Sequence, residues 1–485
     1  MQVFGGVAHH APGQRGVVRL VGAVLGAALG LGAAGGMARA AVLQQFQGGF
    51  SAVSGYVPPD MGGAVGNGYV VQLLNGVATI DSTTGTQVSQ ISLNTFFGAS
   101  SGQLSDPRVI FDPSSQRWFA SAITVPSPAG TIANDILVAV SAGANPTGGF
   151  TTLSFASANN TTFADFPTLG VNGAAVTIGT NDFSTSTGKY LASSLYSIPK
   201  SSLTAATPTL ANQSSFIQTS NVGGAPQAAT NPATGGTSTT VVSVTTNQTG
   251  TQNFYTVSTV SGANAAGASL TTNGSVGQPF SNSPIAPTQP GGATYDPGDN
   301  RIGSGAYQVG NNIYFANTVS NGTQDQIAWN VLNTTTQTVT TGLIGVAGLD
   351  LTYGSISANA NGTFVVAFNG SGSSQNITDY YEICSALTGT CGAPQVAYTS
   401  PASNYYNAPG GTNRWGDYSW TTVDPTNPNN FWLFQEYALT NSTWGTVVTE
   451  IGTAVPEPAG IAVLGLGLIG LGLARRRTGR GSGTA

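Results

Sequence analysis

Between residues 45 and 452 apolar side chains recur in short runs, either alternating with polar ones or unbroken, and nowhere at the spacing of a long amphipathic helix. Such runs lie at Tyr69–Leu74, Arg108–Phe111, Trp118–Thr124, Ile136–Ser141, Ala174–Gly179, Thr240–Thr246, Phe254–Val260, Asn312–Ala316, Gln326–Leu332, Thr363–Asn369 and Phe431–Tyr437. Each is bounded by Gly, Pro, Asn or Asp. Strands of 4–8 residues with closely spaced turns predict an all-β fold. Residues 201–295 carry no charge and are rich in Thr, Ser, Asn and Gly. Because apolar alternation persists at 240–260, this stretch reads as strands with long loops rather than as a linker.

An Asp-Pro pattern recurs. Asp112-Pro113 leads to Arg117-Trp118, Asp296-Pro297 to Arg301-Ile302, and Asp424-Pro425 to Phe431-Trp432. In each, a strand is expected to end at Asp, whose carboxylate bonds amides two residues on, while Pro presets the turn. The spacings approximate four and three periods of roughly 45 residues, and blades of four strands run about 40–50 residues. A single β-propeller is predicted, with seven blades, or six or eight. Period alone leaves a sandwich or a β-solenoid open. A propeller exposes sheet edges unless its ends meet, so residues 43–56 are expected to pair with residues 444–452.

The two ends of the chain differ from its middle. Arg15 and Arg19 precede an uncharged run from Leu20 to Met37, closed by Ala38-Arg39-Ala40 and Ala41. Small residues at Ala38 and Ala40 suit signal peptidase, so residues 1–40 read as a secretory signal peptide cleaved before Ala41. At the other end Val455-Pro456-Glu457-Pro458 precedes an uncharged run over 459–474, then Arg475, Arg476, Arg477 and Arg480. As a helix the run would span roughly 24 Å at ~1.5 Å per residue, slightly short of the ~30 Å hydrocarbon core. The arginines would stay cytoplasmic. Domains are therefore expected at 1–40, 41–454 and 455–485.

The tetrapeptide, short apolar run and Arg cluster together resemble the PEP-CTERM sorting signal of Gram-negative bacteria. That resemblance implies recognition by an exosortase-type enzyme, transient inner-membrane anchoring, and a place at the cell surface or in extracellular polysaccharide. The middle of the chain resembles a family of bacterial secreted β-propellers of unknown activity. The likeness runs through Pro58-Pro59-Asp60, Ser105-Asp106-Pro107, Asn145-Pro146-Thr147-Gly148, Asp165-Phe166-Pro167, Arg414-Trp415-Gly416-Asp417-Tyr418 and Glu436-Tyr437. Asn145 and Phe166 stand where Asp and Tyr are usual.

Charge narrows the function. The segment 41–454 holds 6 basic and 17 acidic residues, net −11. Such a chain repels polyphosphate, which argues against nucleic acid as a partner. Charged residues are 6% of the whole chain, against a usual ~25%. Cys384 and Cys391 are expected to form a disulfide across a hairpin.

Both histidines, His9 and His10, fall in the predicted leader. The Gly98–Gly102 match to G-x-S-x-G therefore lacks a base for Ser100. Histidine-ligated metal sites are excluded likewise, and no metal or cofactor is expected. Sialidase chemistry would need three arginines around a carboxylate and usually S-x-D-x-G-x-x-W turns. No such turn occurs, and Arg108, Arg117, Arg301 and Arg414 read as parts of the blades.

Asp106, Asp165, Asp417 and Glu436 are the best acid–base candidates, against a reading as turn and strand-end caps. Asp296–Asn300 offers oxygens but lacks the spacing of a calcium loop. The expectation is a non-enzymatic surface or matrix protein that binds glycan or protein through a propeller face and uses no catalytic residue. The alternative is a carboxylate-dependent glycosidase or lyase.

Overall fold

A computed structural model describes residues 41–453 apart from residues 101, 220 and 234 and the segments 127–133, 158–160, 247–251, 281–283 and 409–410. The predicted leader with Ala38 and Ala40, the Val455–Pro458 tetrapeptide, the 459–474 span and Arg475, Arg476 and Arg477 lie outside the described residues. No helix among the described residues is long and apolar enough to cross a membrane.

The fold is all-β and propeller-like, built of antiparallel meanders in chain order. The first meander is Gly62–Gly66, Tyr69–Leu74, Val77–Ser82 and Gln87–Ser92. Gln103–Asp112, Arg117–Val125, Asp135–Ser141 and Phe150–Ala156 form the next. Thr162–Asp165 and Gly170–Val171 share the partner Ala175–Ser184, which leads on to Tyr190–Pro199 and Ser214–Thr219. Two further meanders, opened by Gly224–Thr230 and Ala306–Val309, are joined by a short parallel pairing, Ala229 with Ala306 and Thr230 with Tyr307. Asp350–Ala358 opens the next sheet.

The last sheet combines Trp420–Val423, Asn430–Ala438 and Trp444–Gly452 with the strand Ala41–Phe50 from the start of the chain. Ala41 pairs Gly452 and Phe50 pairs Gly445, the closure that the exposed-edge argument predicts. The opening strands of successive meanders touch one another in order, and Trp420–Val423 touches Gly62–Gly66. Between the sheets the core includes the fully buried Trp118, Trp415, Trp432 and Trp444.

All eleven apolar runs picked out by pattern fall in strands, except that Ala174 lies one residue before the strand Ala175–Ser184. The Asp-Pro pattern holds at two of its three places. Asp112 and Asp424 cap the turns between the first and second strands of their sheets, accepting from the amides of Ser114 and Ser115 and of Thr426 and Asn427. Asp296-Pro297 instead lies in an irregular segment before Ala306, and Arg301 opens no strand. Asp296 does cap locally, accepting from Gly298 N at 3.0 Å. Local turn chemistry is the same at all three, so the dipeptide alone cannot tell a hairpin from a loop.

Cys384 and Cys391 are disulfide-bonded and directly paired across a hairpin, with Cα atoms 3.9 Å apart. Glu382 lies beside the two sulfurs. With both sulfurs committed to each other, this group is no metal site in the disulfide form.

Candidate functional site

A second repeat, finer than Asp-Pro, shapes one end of the ring. Asp60, Asp106, Phe166, Ala225 and Tyr353 all hold positive φ between 43° and 55°, rare for residues with a side chain. Asp106, Phe166 and Ala225 each precede a proline and lie about 60 residues apart. The strand register shifts between Ser105 and Arg108, between Gly224 and Gln227, and between Thr352 and Ser355. Such bulges bend a strand and re-aim its side chains.

Hydrogen bonds from neighbouring meanders offset the strain. Asp106 N donates to Asn75 Oδ1 at 2.9 Å, Phe166 N to Asp106 Oδ2 at 3.0 Å, and Ala225 N to Asn181 Oδ1 at 2.7 Å. Asp417 N donates to Asp60 Oδ1 at 2.9 Å, which ties the last sheet to the start of the first.

This end gathers residues far apart in sequence. Asp106, Asp165 and Asp417 share one electrostatic neighbourhood with Asp60 and with Arg108, Arg301 and Arg414. Burial, then the charges of Asp417 and Asp106, push the Asp60 carboxyl well above the usual range. Burial and Asp417 raise Asp106. Asp165, half-buried, is pushed up to about 8 by burial and then by Asp106 and Asp417. Glu436 is 1% exposed, and neither of its carboxyl oxygens has a hydrogen-bond partner among the described residues. Burial, then Asp60 and Asp379, raise it well above the ordinary value.

Each of these arginines is engaged. Arg108 is fully buried, donates to Pro167 O at 3.2 Å and Gly303 O at 2.9 Å, and lies 3.4 Å from the centre of the Tyr418 ring. Burial lowers its pKa. Arg301 grips Asp299 through Nε at 2.7 Å and Nη2 at 2.6 Å. Burial pushes Asp299 up, but Arg301's charge and hydrogen bonds outweigh it and hold that carboxyl below its ordinary value. Arg414 pairs with Asp417 at 2.5 Å and with Asp296 at 3.3 Å. Asp296 and Asp299 thus face arginines. Arg117 lies apart and donates to Ser141 O at 2.5 Å, a bond to a strand of its own meander. The cavity beside this cluster measures only about 20 Å³.

The opposite end, where first strands turn into second strands, opens as a funnel of about 470 Å³. Ile110 and Trp420 line it together with Tyr307, Asn231, Gln308 and Asn359. Its charged lining residues are Asp112 and Asp424. Asp112 pairs with Lys200 at 2.9 Å, and Asp424 accepts from Trp432 Nε1 at 3.1 Å besides capping its turn.

Pattern reading missed Asp60, Asn75 and Tyr353 as members of the first cluster, and it missed the funnel. The residue-before-proline repeat at 106, 166 and 225 was the available signal for the cluster. Nothing in the sequence marks the funnel, because hairpin residues from many meanders compose it.

No family model matches the chain, and no curated protein matches it. Among solved structures it is similar to a protein of unknown function from Dyadobacter fermentans, at 10% identity and TM-score 0.42, covering 72% of this chain and 94% of that one. It is similar to Drosophila Plexin A in complex with Semaphorin 1b, at 8% identity and TM-score 0.39, covering 86% and 88%. Likeness to Trypanosoma rangeli sialidase in complex with sialic acid is 9% identity and TM-score 0.39, covering 80% of this chain and 59% of the sialidase. Likeness at this level carries no activity across to this chain.

Proposed function

We propose that the chain is an exported, non-enzymatic propeller that binds a neutral glycan of the cell surface or matrix in its funnel. Its opening strands run Gly62–Gly66, Gln103–Asp112, Gly170–Val171, Gly224–Thr230, Ala306–Val309, Asp350–Ala358 and Trp420–Val423, which supports seven blades. In this reading residues 1–40 are the leader. Residues 455–485 form the PEP-CTERM segment, handled by an exosortase-type enzyme, and 459–474 holds the protein in the inner membrane before it passes to the surface or matrix.

One observation carries the binding reading: the roomy cavity is chemically quiet. Both carboxylates in the funnel lining are already bonded, so the lining has no free acid or base. The rest of the lining is mostly apolar, and it includes the rings of Phe111, Tyr307 and Trp420 and the amide side chains of Asn231, Gln308 and Asn359. Ligand sites combine an apolar lining with a few polar groups that fix orientation, and sugars offer both C–H faces and hydroxyls. Purified residues 41–454 should bind neutral oligosaccharides from a bacterial glycan panel without turnover. Absence of any glycan binding would remove this reading.

The second reading is a carboxylate-dependent glycosidase or lyase at the opposite end, favoured by one fact. Asp165, held to about 8, has the protonation a general acid needs at neutral pH. Turnover abolished by Asp165→Asn or Glu436→Gln, with folding intact, would establish it.

A further inference from the structure

Glu382, Cys384 and Cys391 line neither the funnel nor the cavity beside the Asp60–Asp417 cluster. Glu382 and Cys384 stand two residues apart on the strand Gln375–Ser385 and so share one face of it. Cys391 lies directly opposite Cys384. That face is apolar: Glu382 is opposite Val366 and Cys384 opposite Phe364, both fully buried. Glu382 is itself 4% exposed, and no hydrogen bond or ion pair reaches its carboxylate among the described residues. A buried carboxylate without a partner is costly, and burial pushes this one up to about 7. The two sulfurs are at hand: a carboxyl oxygen of Glu382 and both Sγ atoms all lie within 4.8 Å of one another.

We propose that Glu382, Cys384 and Cys391 form a redox-gated zinc site, shut while the sulfurs are bonded and opened when a dithiol reductant splits them. Half-buried Cys391 gives the reductant its access. One reductant thiolate attacks the Cys391 sulfur, Cys384 leaves as thiolate, and the reductant's second thiol displaces the mixed disulfide. Two electrons and two protons pass to the chain, and the reductant departs as its own disulfide. Zinc then displaces both thiol protons and any proton on the carboxyl, which supplies the third ligand. A tetrahedron with Zn–S of about 2.3 Å and Zn–O of about 2.1 Å places the ligand atoms about 3.6–3.8 Å apart. The carboxyl oxygen therefore has little distance to cover, and Cys391, on the more exposed side, turns away from Cys384 to make room. Water fills the fourth position from that side. Two thiolates favour zinc over calcium or magnesium. The carboxylate that the disulfide form leaves without a partner thereby gains one.

Cobalt(II), a coloured stand-in for zinc, tests it. The full chain, purified in a mild detergent, is opened with a phosphine reductant that is then removed without air, and cobalt is titrated in. The reduced parent should bind one cobalt per chain, with a sulfur-to-cobalt absorption band that zinc abolishes. The disulfide form should show no band. Cys384 and Cys391 are the chain's two cysteines, so the band reports this site alone. Glu382→Gln should weaken cobalt binding at least roughly tenfold, the loss that even a ligand's outer-shell partner causes. Zinc should also slow amide exchange over residues 382–392 of the reduced parent, a measurement that needs no variant. No band in the reduced parent, equal affinity in Glu382→Gln, or unchanged exchange with zinc would each overturn the proposal. So would loss of the folded tryptophan fluorescence on reduction.

Discussion

The two ends of the ring spend their polar groups in opposite ways. At the Asp60–Asp417 end, carboxylates and guanidinium groups are drawn inward, bonded to strained backbone and to each other, around almost no free volume. At the funnel end, charge is sparse and tied down, and the volume is open. A high density of titratable residues is therefore a poor guide to a site when those residues are consumed in holding sheets together. Buried polar networks are worth most when every member is satisfied, and in this cluster the carboxyl of Glu436 and Nη2 of Arg108 lack a hydrogen-bond partner among the described residues.

The largest expected effect tests the locking role. Asp106→Ala removes the acceptor for Phe166 N and Ser105 Oγ inside the ring and should cost about 3 kcal/mol in chemical denaturation. Asp106→Asn keeps one acceptor and should cost less. Equal stability of Asp106→Ala and the parent would break the contrast between the two ends. Cys384→Ala lies outside both ends and should cost about 2 kcal/mol, because the disulfide closes a short loop. It should loosen one hairpin, visible as faster amide exchange there, and leave glycan binding in the funnel intact.

Next in size is the funnel. Tyr307→Ala should weaken glycan binding roughly tenfold, about 1.4 kcal/mol, with no change in fold by circular dichroism. The smallest effect is on pH dependence. Asp60, Asp106 and Asp165 carry raised values in the folded protein and so bind protons more tightly there than in the unfolded chain. Their contribution is most favourable at low pH and is lost as pH climbs from about 4 toward about 8. Asp299, held low by Arg301, works in the opposite direction as pH falls through the ordinary carboxylate range. The denaturation midpoint should therefore decline between about pH 5 and about pH 8, and Asp165→Asn should flatten that decline.

The strands were legible because short apolar runs such as Tyr69–Leu74 and Phe431–Tyr437, bounded by turn residues, depend only on neighbouring residues. Ring closure was legible too, since an unpaired edge is unfavourable whatever the details. The cluster was legible only as separate residues. Asp106, Asp165, Asp417 and Glu436 could be named, but their meeting with Asp60 and three arginines depends on where successive sheets turn. Reading carboxylates as local caps was apt for Asp112 and Asp424, which bond their own turns. It missed that Asp106 reaches Phe166 in the next meander and that Asp60 reaches Asp417 at the far end of the chain. Long-range bonds of this kind leave no periodic trace.

The most direct test of the division between a locking end and a binding end is a parallel titration of residues 41–454, Tyr307→Ala and Asp165→Asn. Each is titrated with a neutral oligosaccharide bound by the parent protein, with heat and released sugar followed together. The account predicts weakened binding in Tyr307→Ala, unchanged binding in Asp165→Asn, and no released sugar from any of the three. Sugar released by the parent protein and not by Asp165→Asn would contradict it and move the function to the opposite end of the ring.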